Sequence, residues 1–138
     1  MKVLILCTGN SARSQMAEGI LRRLGNGTIE VHSAGTHPSR VNPLAIEAMN
    51  EIGIDISSHR SKSVDEFAQQ TFDVVITVCD KAKESCPIFP GAPERIHWSY
   101  EDPAAVEGSH DEKLAAFRRV RDDLLLRFKD LLASHVSN

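Results

Sequence analysis

The sequence predicts a single-domain α/β fold, over residues 1–138, around a central four-stranded and mostly parallel sheet. Two observations lead to this prediction. Short apolar segments alternate along the chain with segments whose apolar residues recur at helical spacing. The apolar segments also lack a polar alternation, as expected of parallel strands that are covered on both faces. A chain of 138 residues is long enough for one such domain with a substantial core.

The predicted elements are four strands and three helices. They are strands at 2–6, 28–35, 72–79 and 94–100, and helices at 14–25, 42–52 and 110–134. We expect Gly25 and Gly53 to end the first two helices, and Pro43 lies near the start of the second. The last helix is the clearest, because Ser109 and Glu112 have the spacing of a capping box. Its predicted apolar stripe comprises Leu114, Phe117, Val120, Leu124, Phe128 and Leu131.

Charge and composition exclude several classes of function. The chain has a formal net charge of −3 and no basic run, so we expect no nucleic-acid partner, because binding to a phosphate backbone needs clustered Lys and Arg. No apolar run approaches the roughly 18 residues of a membrane helix. The segment KVLIL is too short for the core of a signal peptide. We therefore expect a cytoplasmic protein without membrane contact, and we expect it to be a monomer.

The stretch CTGNSARS, residues 7–14, joins the first predicted strand to the first predicted helix. A short loop at such a junction can direct successive backbone N–H groups toward one point and so bind an anion. Gly9 and Asn10 tolerate the unusual backbone dihedrals that such a loop requires. Arg13 adds a planar fork of donors that suits a tetrahedral oxyanion. The predicted oxyanion-binding residues are Thr8, Gly9, Asn10, Ser11, Ala12 and Arg13.

Cys7 is the candidate nucleophile of this loop. The positive surroundings favour the thiolate, which is the reactive form, and Ser14 is placed to donate a hydrogen bond to the sulfur. The alternative is that Cys7 packs at the end of a buried strand like a small apolar residue. We favour the nucleophile because cysteine, loop and arginine occur together between strand and helix. The chain has no G-x-x-x-x-G-K-[ST] loop, so nucleotide binding of that kind is not expected.

The segment CTGNSARSQMAE, with five residues between cysteine and arginine, resembles the low-molecular-weight protein tyrosine phosphatases. That resemblance implies a three-layer α/β fold, which is also the fold of the arsenate reductases that are coupled to thioredoxin. Both groups share the loop. The loop therefore indicates the shape of the substrate, a tetrahedral oxyanion, but not the reaction.

The two further cysteines, Cys79 and Cys86, bear on the choice of reaction. When a thiolate attacks arsenic(V), a second thiol must attack the first sulfur to release arsenic(III), and a third can pass the disulfide on to a reductant. The chain has three cysteines, the number that this relay needs. Two alternatives remain from the residues alone. Cys79 could pack in the core, or Cys79, Cys86 and His97 could hold zinc, although their spacing fits no usual pattern.

The segment between these two cysteines has room for one or two helical turns before Pro87. In a helix, the Cα atoms of Cys79 and Cys86 would lie roughly 10 Å apart, whereas a disulfide needs about 4.4–6.8 Å. We therefore predict that forming a disulfide between them unwinds this segment. Hydrogen exchange should then differ between reduced and oxidised protein far more at residues 80–90 than in the sheet.

The second resemblance covers nearly the whole chain. The segments 33–57, 74–90 and 97–104, the last reading HWSYEDPA, are similar to the thioredoxin-coupled arsenate reductases. This implies arsenate as substrate and Cys7 as nucleophile, with Cys79 and Cys86 as relay thiols. It implies no cofactor and no metal, with thioredoxin, or alternatively glutaredoxin, as external reductant. It also implies that Asp102 is the general acid, in a loop stiffened by Pro103.

Two positions depart from that family. Ala12 stands where a further cysteine often precedes the loop arginine, but that cysteine is not a relay thiol. Some members bind potassium through groups that match Asn10, Glu18 and Ser33 together with a later aspartate. Lys62 stands at the position of that aspartate, and its ammonium would replace the cation. We therefore expect little dependence on potassium.

Several alternatives stay open on the sequence alone. A phosphatase needs only Cys7, Arg13, Ser14 and Asp102, and an anion-binding or redox-sensing module needs no turnover at all. Glu101 is an alternative to Asp102 as the acid. We expect the six histidines to be structural or solvated, since none pairs with another at ligand spacing on a predicted helix. Trp98 is expected in the core, with a docking surface for a reductant as the alternative.

Overall fold

The computed structural model describes residues 1–79, 89–91 and 93–136, and its centre is a four-stranded sheet. The strands are β1 (Lys2–Cys7), β2 (Glu30–Gly35), β3 (Val74–Thr77) and β4 (Glu94–His97), in the order β2-β1-β3-β4. All three pairings are parallel. The predicted α/β fold with a central parallel sheet is therefore confirmed. Parallel pairing brings the carboxyl ends of the strands to one edge, where ligands of such sheets bind.

Helices follow the strands as predicted. They are α1 (Arg13–Gly25), α2 (Pro43–Asn50) and α3 (His110–Val136), with 3₁₀ turns at Val64–Phe67 and Pro103–Ala105. The capping box at the start of α3 is present, because Glu112 N donates to Ser109 Oγ at 3.1 Å and Ser109 N to Glu112 Oε1 at 3.4 Å. Within the described ranges, no helix combines the length and the apolar character needed to cross a bilayer.

Two helix ends differ from the prediction: α2 ends at Asn50, before the residues that precede Gly53, and α1 is stopped by a different residue. Gly25 is the last residue of α1 and does not itself turn the chain. Asn26 takes the left-handed conformation instead, with φ of 47°, and its N–H bonds back to the carbonyl groups of Arg22 and Arg23. Asparagine tolerates this region better than most residues, so it can replace glycine as the helix stop.

The core lies between the sheet and the helices. All residues of β1 after Lys2 are buried, and α3 contributes Leu114, Phe117, Leu124 and Phe128 from its predicted stripe. Helix α1 packs on β1 and β2 and against α3. Trp98 is half-buried at the margin of this core, and its ring meets that of Phe128 edge-on, with 5.1 Å between centroids.

Candidate active site

A cavity of about 270 Å³ opens at the carboxyl end of β1. Its lining residues are Cys7, Thr8, Gly9, Ser11, Ala12, Arg13, Ser39, Asp102 and Ala104. The structure therefore brings the predicted nucleophile, the loop arginine and the predicted acid to one cavity, although the acid is distant in sequence. Glu101, the alternative acid, lines a neighbouring groove instead. Ser39 is a lining residue that the sequence analysis did not identify.

The loop from Cys7 to Arg13 carries its carbonyl groups on its outer side. Those of Cys7, Thr8 and Gly9 accept hydrogen bonds from the backbone of residues 36–39, at 2.8–3.2 Å. The next two are bonded in the same way, by Ser61 Oγ and by the backbone N of Asn42. Because the carbonyl groups point outward, the N–H groups of the same peptides are left for a ligand in the cavity. This arrangement suits an oxyanion.

Two glycines lie near the loop, and they differ in how closely other groups approach them. Asn10 has a positive φ of 47°, whereas the φ of Gly9 is not positive. The glycine that the loop requires is Gly35, at the end of β2. A Cβ atom there would lie 2.8 Å from the backbone N of Asn10 and closer still to the carbonyl oxygen of Thr8. Only glycine lets β2 approach the loop this closely.

Cys7 is almost fully buried, and its sulfur lies 2.9 Å from Ser14 Oγ. Ser14 Oγ in turn accepts a hydrogen bond from Asn10 Nδ2 at 2.8 Å. The orientation of the Asn10 amide is set by the backbone N–H of Lys62, which donates to Asn10 Oδ1 at 2.9 Å. With Asn10 donating to it, the Ser14 hydroxyl is free to direct its own hydrogen to the sulfur. A hydroxyl in this position can hydrogen-bond a cysteine sulfur that acts as a nucleophile.

A buried network continues behind Asn10. Its Nδ2 also donates to Ser33 Oγ at 2.9 Å, and Ser33 Oγ donates to Glu18 Oε1 at 2.6 Å. Gln15, which is fully buried, donates to Asn10 Oδ1 at 3.0 Å and was missed by the sequence analysis. A buried amide on a helix that otherwise packs in the core was the one signal that could have revealed it.

The buried carboxylate of Glu18 faces three basic side chains. Arg22 Nη1, His59 Nδ1 and Lys62 Nζ lie 3.0, 3.4 and 3.8 Å from its oxygens. Burial lowers the pKa of Lys62 and of His59, and the charge of Glu18 opposes both shifts. The ammonium of Lys62 therefore lies near Glu18, one of the groups that the family resemblance associates with potassium, and it also donates to the main-chain oxygen of Arg60 at 3.0 Å. Such compensation is what permits a buried carboxylate.

On the opposite side of the cavity, Arg13 Nη1 donates to the main-chain oxygen of Tyr100 at 2.9 Å. Asp102 is exposed, and its Oδ1 accepts a hydrogen bond from Ala104 N at 2.9 Å, which caps the 3₁₀ turn that follows. Pro103, expected to stiffen this loop, is the buried first residue of that turn. The cap uses Oδ1, so Oδ2 is available to carry a proton.

Cys79 is buried two residues beyond β3, and its sulfur lies 3.3 Å from Thr8 Oγ1. Thr8 thus connects the second cysteine to the loop of the first. Cys86, and with it the predicted helical turn and the Cys79–Cys86 spacing, lies outside the described residues. His97, considered with these cysteines as a zinc ligand, has its Nδ1 2.7 Å from Thr77 Oγ1.

The sequence of the chain is similar to those of known proteins. Residues 2–137 match the family described as low molecular weight phosphotyrosine protein phosphatase. The chain is 48% identical over 127 residues to the arsenate reductase of Halalkalibacterium halodurans, covering 92% of this chain and 91% of that protein. It is 43% identical over 128 residues to the arsenate reductase of Bacillus subtilis, covering 93% and 92%.

Solved structures of arsenate reductases are also similar to the structure of this chain. An arsenate reductase in its oxidised state superposes with a TM-score of 0.83 at 38% identity, covering 96% of this chain and 97% of that one. A thioredoxin-dependent arsenate reductase of Corynebacterium glutamicum superposes with a TM-score of 0.77 at 28% identity, covering 99% of this chain and 63% of that one.

Proposed function

The chain belongs to the low-molecular-weight phosphotyrosine protein phosphatase family, and from that premise we propose that it reduces arsenate to arsenite. The observation that carries the proposal is the placement of a second cysteine beside the nucleophile's loop. Thr8 Oγ1, next to Cys7, lies 3.3 Å from the sulfur of the buried Cys79. Hydrolysis of a phosphate ester has no use for a thiol at this position, whereas reduction of arsenic(V) needs one. The relatives named arsenate reductases support the same conclusion.

The first step is a substitution at arsenic. Arsenate enters the cavity, where the loop N–H groups and Arg13 bind its oxygens. The Cys7 thiolate attacks arsenic(V), so that an S–As bond forms and one As–O bond breaks. Asp102 gives its proton to the leaving oxygen, which departs as water. No electron has yet been transferred in net terms, and the product is a covalent thiol–arsenate adduct.

The second step is the reduction. The Cys79 thiolate attacks the sulfur of Cys7, forming an S–S bond while the S–As bond breaks. The electron pair of the broken bond stays on arsenic, which becomes arsenic(III) and leaves as arsenite. Thr8 Oγ1 is in reach to donate a hydrogen bond to the Cys79 thiolate. Two thiolates have then supplied the two electrons, and Cys7 and Cys79 share a disulfide.

The third step restores the nucleophile. The Cys86 thiolate attacks the sulfur of Cys79, so that Cys7 leaves as a thiolate and a Cys79–Cys86 disulfide remains. A dithiol reductant of the thioredoxin class then supplies two electrons and two protons, and glutaredoxin is the alternative. This step rests on the sequence pattern. It requires thiols that are kept reduced, which is the condition of the cytosol.

A coupled assay tests the proposal. The protein is mixed with arsenate, thioredoxin, thioredoxin reductase and NADPH, and the loss of NADPH is followed. Steady-state turnover should disappear in Cys7→Ser, Cys79→Ser and Cys86→Ser. Single turnover without reductant separates the three steps, since Cys86→Ser should release one arsenite per chain and retain a Cys7–Cys79 disulfide. Cys79→Ser should release none.

Phosphate ester hydrolysis is the second candidate, because the cavity contains Cys7, Arg13 and Asp102, and Ser14, the fourth residue that it needs, contacts the sulfur of Cys7. Both reactions begin with attack on a tetrahedral oxyanion, so some hydrolysis of an aryl phosphate is expected. Efficient hydrolysis that is unchanged in Cys79→Ser and Cys86→Ser, without turnover of arsenate, would replace reduction by this function. Turnover of neither substrate would leave the anion-binding or redox-sensing module.

A further inference from the structure

The guanidinium of Arg13 is oriented by a residue of the segment that carries the proposed acid. Arg13 Nη1 donates to the main-chain oxygen of Tyr100 at 2.9 Å, and Tyr100 precedes Asp102 by two residues. The position of this one carbonyl group therefore bears on two groups of the cavity. If it moves, the guanidinium loses a fixed partner and the carboxyl of Asp102 moves with the backbone.

Tyr100 is itself anchored to α3 through its side chain. Its hydroxyl donates to Asp123 Oδ2 at 2.5 Å, and Arg127 Nε lies 3.1 Å from the same oxygen. The Arg127 guanidinium also lies over the Tyr100 ring, with 5.2 Å from Cζ to the ring centroid, and over the Trp98 ring at 5.5 Å. Stacking of this kind adds to the attachment of the ring to the helix.

The hydroxyl remains a donor at any working pH. Burial, and after it the hydrogen bond to Asp123, raise the pKa of Tyr100 far above its ordinary value. On either side of Tyr100 the backbone is also fixed. Trp98 N donates to Thr77 O at 2.9 Å, and Asp102 caps the 3₁₀ turn of Pro103–Ala105. Between Trp98 and this turn, the Tyr100 side chain joins the segment to α3 through its hydrogen bond to Asp123.

We propose that Tyr100 and Asp123 are positioning residues, which set the guanidinium of Arg13 and the carboxyl of Asp102 from the side of α3. Neither residue lines the cavity of the nucleophile, so both act through others. The inference deepens the proposed function and rests on it for the identity of the substrate. The positioning itself concerns any oxyanion that the cavity accepts.

The test uses conservative variants of the intact protein. Tyr100→Phe keeps the ring over which Arg127 lies and removes the hydrogen bond to α3. Asp123→Asn keeps an acceptor but removes the charge that pairs with Arg127. Asp130→Asn is the matched control, because it makes the same charge change on an exposed residue of the same helix. Thermal unfolding of each variant shows whether the fold is kept.

Two readouts are measured. The first is kcat and KM for arsenate in the coupled assay. The second is the rate at which iodoacetate alkylates Cys7 relative to neutral iodoacetamide, followed by mass spectrometry of the Cys7 peptide. The carboxylate of iodoacetate is drawn to the guanidinium and N–H groups of the cavity, so this ratio reports their placement without any turnover.

We expect Tyr100→Phe to lower kcat/KM roughly fivefold to tenfold, as the loss of one hydrogen bond that orients reacting groups would do. We expect it to lower the alkylation ratio in the same direction, with Asp123→Asn similar and Asp130→Asn unchanged. Because both residues belong to one cluster with Arg127, the double variant should be no more impaired than the more impaired of the two single variants.

Two results would overturn the inference, and a third would separate it from the proposed function. Wild-type values of both readouts in Tyr100→Phe and Asp123→Asn would overturn the inference. So would lower activity that follows only the loss of folded protein, with KM and the alkylation ratio unchanged. If the wild-type protein does not reduce arsenate, the proposed function fails, while a lowered alkylation ratio in Tyr100→Phe would still support the positioning.

Discussion

The two sides of the cavity are built in different ways. The side of Cys7 is buried, and its sulfur is connected through Ser14 and Asn10 to a network that ends at Glu18. The side of Asp102 is the segment 98–105, in which Asp102 itself is exposed. It is attached at Trp98, at Tyr100 and at the turn of Pro103–Ala105.

This difference indicates that the two sides of the cavity have different roles in the proposed reaction. A buried, fully bonded network keeps a nucleophile and an anion-binding loop in one geometry, because each displaced partner would leave a polar group without compensation. An exposed carboxyl can meet the substrate and exchange its proton with water. We therefore expect changes on the cysteine side to affect folding as well as rate, and changes on the acid side to affect rate alone.

The largest effect is expected from Gly35→Ala, which tests the cysteine side. The new Cβ would overlap the backbone of Thr8 and Asn10, and backbone cannot move aside as a side chain can. We expect stability to fall by roughly 1–3 kcal/mol, the usual range for overpacking, and activity to be nearly lost. Chemical denaturation and the coupled assay measure the two effects.

Gly9→Ala is the matched control for that variant. Its Cβ would lie 3.3 Å from Ser39 Oγ, a side-chain atom that can rotate away, and its φ is not positive. We expect a much smaller loss. Equal losses in Gly9→Ala and Gly35→Ala would show that close approach of β2 is not what the loop requires.

Asp102→Asn tests the acid side. An amide cannot donate the proton, so we expect kcat to fall by about 10²–10⁴-fold, the usual contribution of general acid catalysis, with unfolding unchanged. The amide oxygen can still cap the turn at Ala104. Glu101→Gln, the same change one residue earlier, is the control, and a larger loss in that variant would make Glu101 the acid.

A smaller effect is expected from Ser14→Ala. Loss of the hydroxyl removes one charge-assisted hydrogen bond to the Cys7 thiolate and leaves Asn10 Nδ2 without one acceptor. We expect roughly a tenfold slower alkylation of Cys7 by iodoacetamide near neutral pH, as a donor to a charged group contributes about 1.5–3 kcal/mol. Ser39→Ala, at the exposed edge of the same cavity, should alkylate at the wild-type rate, and equal slowing in both would contradict the assignment.

The smallest effect is expected from exchanging potassium for sodium. The ammonium of Lys62 already lies 3.8 Å from Glu18 Oε1, so wild-type turnover should be the same in both salts. Lys62→Asp removes that charge and supplies a carboxylate, and we expect activation by potassium to appear. Several-fold activation of the wild-type protein by potassium would contradict the replacement of the cation by Lys62.

Much of the local structure followed from local patterns. The capping box of α3, the proline at the start of α2 and the positive φ of Asn10 depend on residues a few positions apart, and propensity and spacing describe such interactions well. The requirement for glycine at position 35 was not predicted, because its cause is not local. Which glycine the loop requires depends on the strand that lies against it, and that strand is distant in sequence.

The parallel α/β fold and the loop between the first strand and the first helix could be predicted from the sequence, because hydrophobic periodicity and short-range spacing are local properties. The structure was needed to show that Asp102 and not Glu101 lines the cavity, that Cys79 lies beside Thr8, and that Arg13 donates to the main-chain oxygen of Tyr100. Each of these depends on how separate elements pack. Packing is a property of the whole chain, so no short segment of the sequence contains it.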